Sequence, residues 1–173
     1  MRKLLAVMLC LTSVAHAQTP ESNQIRRFIE EGQVQCNGPQ ESDRTCESMA
    51  TYRFVADGSL TYDYSALLSG TDIVRNGTAL ATLDGNKICG VISGAEARDS
   101  SFERNGAPVP DNVRQQIVSA LERLPETHIC TQYTADNGQF AGTVYVNGTA
   151  RPELAQNSIW LRDTQGWIVG QRP

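Results

Sequence analysis

The sequence predicts an α+β fold in which about eight antiparallel strands, arranged as hairpins, pack on two amphipathic helices in the order α-ββ-ββ-α-ββ-ββ. Three observations carry that expectation. Runs of alternating apolar and polar residues flank glycine turns at Gly58, Gly85, Gly138 and Gly166, the pattern of β-hairpins. Two other segments, near 20–31 and 111–124, repeat apolar residues at helical spacing. Cysteines stand in the strands on either side of the second helix, Cys89 in K-I-C-G-V-I and Cys130 in T-H-I-C-T-Q-Y.

The chain opens on Arg2 and Lys3, an apolar run from Leu4 to Leu11 and an Ala15-His16-Ala17 cleavage pattern. This predicts a secretory leader over residues 1–17. The run is too short to cross a bilayer, and Cys10 follows Leu9 rather than a small residue, which argues against a lipid anchor. Residues 18–173 then form one exported α+β domain, or two lobes, 18–93 and 94–173, that share a core. Without Arg2 and Lys3 the 15 basic residues fall to 13 against 19 acids, a formal charge of −6. That acidic, evenly mixed chain argues against nucleic acid as the partner, and no basic amphipathic segment points to a membrane surface.

Thr19-Pro20-Glu21 reads as the start of the first helix, with Ile25, Phe28 and Ile29 as its buried stripe and Gly32 as its stop. Arg26 with Glu30 and Arg27 with Glu31 form a solvated face. Met49 to Tyr64 is a hairpin. A three-residue loop at Ala56-Asp57-Gly58 pairs Phe54 with Leu60, Tyr52 with Tyr62 and Ala50 with Tyr64, which keeps the apolar set on one face. Residues 65–76 are a connection. Thr78 to Ile92 is a second hairpin turning at Asp84-Gly85-Asn86, apolar on both faces and therefore central. Residues 94–110 read as an exposed loop.

The second helix has Asp111 as its N-cap and a stripe of Val113, Ile117, Val118, Leu121 and Leu124. Pro125 ends it. His128 to Val146 is a third hairpin around a type I′ turn at Asn137-Gly138. It places Ile129, Tyr133, Ala135, Phe140, Val144 and Val146 on the face that the second helix covers. Ser158 to Gln171 is a fourth hairpin around Thr164-Gln165-Gly166, with Trp160 opposite Gly170. The turns at Gly58 and Gly138, and at Gly85 and Gly166, recur at nearly equal spacing, and N-G-T-A occurs at Asn76 and at Asn147. An old duplication of an α-β-β-β-β unit is one reading of that recurrence; the other is that glycine turns recur in any hairpin protein. Both N-x-T sequons read as turns.

Four cysteines follow the leader: Cys36, Cys46, Cys89 and Cys130. Three disulfide pairings are open. Cys36–Cys46 and Cys89–Cys130 are preferred, because the first closes a polar loop with no apolar residue to hold it and the second ties the strands around the central helix. In a chain-entropy picture they contribute about 2.7 and about 3.9 kcal/mol. No C-x-x-C occurs and His128 is the only histidine past the leader, so no metal site and no cofactor are expected.

Nothing in the sequence carries a catalytic signature. His128 is the one imidazole suited to proton transfer near neutral pH, and Asp63 is a candidate acid. As a binding surface, His128, Gln132 and Tyr145 share one face of the third hairpin, with Trp160 and Trp167 as further aromatic candidates. In organisation the helix-plus-four-strand units resemble secreted inhibitors whose concave sheet grips an enzyme. A helix before a four-strand meander also resembles the cone-shaped fold of the nuclear-transport-factor and small-cyclase group. An exported, disulfide-tied chain poor in catalytic residue types reads as a periplasmic or secreted, non-catalytic binding or inhibitor-type module for a protein or envelope ligand; the alternative is a small enzyme of the cone-shaped fold with a polar pocket using His128 or Asp63.

Overall fold

The computed structural model describes residues 20–170; the expected leader over 1–17, the helix start at Thr19 and the strand end at Gln171 lie outside them. The hairpins do not lie on two helices. Eight antiparallel strands close into a barrel, and the architecture is mostly β. Around the ring run β1 (Val34–Asn37), β3 (Ser48–Phe54), β4 (Leu60–Leu67), β5 (Ile73–Asp84), β6 (Lys87–Ile92), β9 (Thr127–Asp136), β10 (Gln139–Val146) and β12 (Gln156–Leu161), which returns to β1. The α+β layering, the inhibitor-like and cone-like arrangements and the paired α-β-β-β-β units are all overturned by this closure.

Local pairing follows the alternation of the sequence. Tyr52 faces Tyr62 and Phe54 faces Leu60 in the β3–β4 hairpin. Ile129 faces Val146 and Ala135 faces Phe140 in the β9–β10 hairpin. Asn137 and Gly138 both have positive φ, 47° and 86°, as a type I′ turn requires. The connection at 65–76 is instead a hairpin, with Tyr64 opposite Gly77 and Leu67 opposite Val74. Asn76 therefore lies in a strand rather than a turn, whereas Asn147 has positive φ, 49°, in a turn.

The fourth hairpin does not form. β12 pairs with β1 and β10, so Trp160 faces Gln35. The short β13 (Ile168–Val169) runs parallel to β2 (Thr45–Cys46) outside the ring. Gly166 thus has no counterpart to the turn at Gly85, and the apparent repeat loses its structural basis.

The supposed loop at 94–110 contains a 3-10 turn (Ala95–Ala97) and a hairpin of β7 (Ser101–Arg104) and β8 (Ala107–Pro108). Ala97, Ser100, Phe102 and Val109 are buried there. β7 pairs with Ile73–Asn76, extending β5 beyond the ring.

One barrel end carries the turns β3–β4, β5–β6 and β9–β10. α1 (Pro20–Glu30) closes it, inserting Ile25 and Ile29 into a core with Tyr52, Leu60, Ile88, Tyr133 and Phe140. Phe28 meets Phe140 edge-on at 5.9 Å and Trp160 at 5.5 Å. Gly32, at φ +67°, ends the helix. α2 (Asp111–Leu121) was expected over the third hairpin but packs elsewhere. Val113, Ile117, Val118 and Leu121 rest on Ile73, Phe102 and Val109, beside the opposite end. Its N-cap is Pro110, with Asp111 already in the first turn, and Leu124 is exposed. A helix stripe shows that a helix packs, but not on which surface, and β7–β8 supplied one that the sequence pattern did not disclose.

Both disulfides lie on the outer side of the wall. Cys36 pairs with Cys46, and Cys89 with Cys130, its directly opposite residue on the adjacent strand. Replacing Gly138 with Val places a β-branched residue at positive φ and should destabilise the fold by about 1 kcal/mol or more. A thermal melt unchanged by Gly138→Val would contradict the turn geometry.

Candidate functional site

Strand alternation sends Ala50 and Tyr52 of β3, Tyr62, Tyr64 and Ala66 of β4, and Arg75, Gly77 and Ala81 of β5 to the inside. Ile88, Gly90, Ile129, Thr131 and Tyr133 continue the same face on β6 and β9. Large phenols stand among alanines and glycines, so the interior does not fill. A cavity of about 330 Å³ remains above the α1 plug. It is lined by Tyr52, Tyr62, Tyr64 and Tyr133, with Arg75, Asn37, Glu96 and Gln156 among its polar groups. Eight strands give an interior suited to side chains or to one small ligand.

The aromatic wall is continuous. Tyr52 and Tyr62 stack at 5.2 Å, and Tyr62 and Tyr64 lie 5.7 Å apart. Tyr64 sits against Gly77, where a Cβ would come within 2.8 Å of its hydroxyl. The Tyr52 hydroxyl donates to Gln35 Oε1 at 2.8 Å. That bond explains an otherwise improbable strand: β1, V-Q-C-N, turns Gln35 and Asn37 inward, and both are buried.

Arg75 is buried at 8% exposure. Its Nε donates to Ser100 Oγ at 2.9 Å, and its guanidinium stands 5.4 Å from the centre of the Tyr64 ring. Ser100 Oγ in turn donates to the Glu96 carbonyl at 2.8 Å. Arg75 Nη2 and Asn37 Oδ1 are buried without a hydrogen-bond partner among the described residues. Burial raises the Glu96 carboxyl pKa, and the nearby Arg75 charge partly opposes that shift.

The residues singled out in the sequence are distributed over several places. His128 is exposed on the outer wall, 4.0 Å from Glu126. Gln132 and Tyr145 do meet there, the Tyr145 hydroxyl lying 3.4 Å from Gln132 Oε1, with the Lys87 ammonium over the Tyr145 ring. Asp63 is also outside, held by Arg53 at 2.8 Å and Thr78 at 2.7 Å. Those two bonds lower its carboxyl pKa. Trp160 points inward to Phe28 and Tyr52, below the cavity. Trp167 lines an open outer groove near Gly70 and Asp72.

Arg75, Glu96 and Tyr133 were not singled out from sequence. One signal for Arg75 was present: in I-V-R-N-G-T-A-L-A it falls in phase with Ile73, Gly77, Ala79 and Ala81, an arginine on an otherwise apolar or small face. No family model matches the chain, and neither a curated protein nor a solved structure matches it.

Burial raises the phenol pKa values of Tyr52, Tyr62, Tyr64 and Tyr133, that of Tyr62 to about 12. In the unfolded chain these phenols ionise near pH 10, at about their ordinary value. The folded state holds the protons longer, so this contribution to stability is intact below about pH 10 and is lost as pH rises through the folded-state values. Phenolate absorbance should therefore show four of the five tyrosines titrating late, together with loss of fold. Four tyrosines ionising near pH 10 in a still-folded protein would contradict the buried aromatic wall.

Proposed function

We propose that this chain is an exported, non-catalytic binding protein whose barrel takes one small molecule with an apolar or aromatic body. The observation that carries the reading is the cavity of about 330 Å³ inside the closed wall, lined by four tyrosines and by small residues. Pockets of that size, mostly apolar with a few placed polar groups, are characteristic ligand sites. Tyrosines offer broad apolar faces to a ligand while their hydroxyls remain available as polar contacts.

The compartment rests on the leader pattern and on the two disulfides, which persist in oxidising surroundings. Among the described residues no helix is long and apolar enough to cross a membrane. We place the protein in the periplasm or outside the cell after cleavage near Ala17. The enzymatic alternative gains no support from the cavity, because His128 and Asp63 stand on the outer wall and are not part of its lining.

N-phenyl-naphthylamine, which brightens in apolar surroundings, should bind saturably with one site per chain. Ala66 lines the cavity, and Ala66→Phe should occupy much of the space and weaken the dye by about tenfold or more. Its melting temperature should remain close to that of the parent protein, because the added ring enters open space. Saturable binding that survives Ala66→Phe in the folded protein would refute the interior site, as would a parent protein that binds no dye.

A further inference from the structure

We infer that the barrel mouth holds a subsite for one organic carboxylate anchored by Arg75, so that the ligand is an amphiphilic acid with its apolar body on the tyrosine wall. The inference depends on the cavity being the ligand site and adds the chemistry that the site selects.

Arg75 stands at an inward position of β5, between Ile73 and Gly77. It is nine-tenths buried and lines the cavity. A guanidinium keeps its charge in such a place, and a buried charge is expensive unless it is paired and hydrogen-bonded. The protein satisfies Arg75 only in part. Ser100 takes Nε, the Tyr64 ring lies 5.4 Å from the guanidinium carbon, and Nη2 has no hydrogen-bond partner among the described residues. Glu96 shares the wall but makes no ion pair with Arg75 among the described residues. Ser100 is itself committed to the Glu96 carbonyl, so the side chain is held in place with a donor left over.

A carboxylate completes this arrangement. Its oxygens accept charge-assisted bonds from the guanidinium, which are shorter and stronger than neutral ones. Glu96 decides between kinds of anion. A second negative charge on the ligand meets that carboxyl in the same wall, so a monoanion is favoured over a phosphate monoester.

The test is calorimetric titration of the full chain with naphthoate, naphthamide and naphthyl phosphate, which share a ring system and differ in charge. Naphthoate should bind about tenfold or more tighter than either of the others. Arg75→Met should remove its advantage over naphthamide, and Arg75→Lys should restore part of it. Glu96→Gln should bring naphthyl phosphate closer to naphthoate.

Equal binding of naphthoate and naphthamide by the parent protein would overturn the carboxylate anchor while leaving the cavity reading intact. Binding of none of the three would overturn both. Tighter binding of naphthyl phosphate would overturn the choice of a monoanion. A preference for naphthoate that persists in Ala66→Phe would place the anion outside the barrel and overturn the subsite. If Arg75→Met does not fold, the parent's preference and Arg75→Lys decide the matter.

Discussion

The ring closes through β1, a four-residue strand whose two fully inward positions, Gln35 and Asn37, are both polar. Four residues, Val34 to Asn37, bridge β3 and β12. Without them, both neighbours would present unpaired backbone edges, which are prone to pair with other chains. The inward side of this bridge is polar. Gln35 is completely buried and accepts the hydroxyl of Tyr52, while Asn37 Nδ2 donates to Ser48 Oγ at 3.0 Å. The outward side is covalent, since Cys36 is tied to Cys46. A strand too short and too polar to hold by apolar burial is therefore held by ladder bonds on both edges, a buried side-chain bond and a disulfide.

The legible and illegible parts of the fold divide along the same line. Pairings set by a tight turn were readable, because a slip of one residue would expose the apolar set. Phe54 with Leu60 and Ile129 with Val146 are of this kind. The seams that close the barrel join strands remote in sequence, such as Cys36 with Ile159 and Ile88 with Thr131. Nothing in the residues near Cys36 or Ile159 specifies the first, whereas the preferred Cys89–Cys130 pairing had already brought β6 and β9 together. Polarity misled as well. Val34 to Asn37 lies beside a glycine- and proline-containing polar stretch and reads as loop, because Gln35 and Asn37 occupy the positions where a strand is expected to show apolar residues. Leu80 misled in the opposite direction. It made β5 look buried on both faces, yet it is 68% exposed on the outer wall.

The candidate site was harder to read than the fold for a related reason. Tyr52, Tyr62 and Tyr64 were correctly grouped on one face with Leu60. On a hairpin covered by a helix, that face would be solid core. Curling the same face into a barrel turns it into a concave wall, and whether a concavity fills depends on residues several strands away. Here Ala50, Ala66, Ala81 and Gly90 face the phenols across the interior and leave it open. Tight packing is the rule in protein interiors, and unfilled space forfeits dispersion contacts. An interior retained with large aromatics beside very small residues is thus a costly arrangement for stability alone, and the ligand proposed above would supply the missing contacts.

The two faces of the wall also divide the chemistry. Outside lie the disulfides, the Arg53–Asp63 pair, Lys87 over Tyr145, and His128. Exposed ion pairs of this kind add little stability, and cross-links on the outer wall stiffen it without entering the cavity. Cys89–Cys130 joins β6 to β9 directly behind inward neighbours that line the interior, Ile88 and Gly90 on one strand and Ile129 and Thr131 on the other. The bond therefore braces cavity wall rather than the plugged end, where α1 and its aromatic contacts already supply packing. A barrel that must keep an incompletely filled interior cannot rely on that interior for rigidity. Placing covalent ties on the opposite face lets the wall hold its shape while the inner face stays open, as the proposed binding role requires.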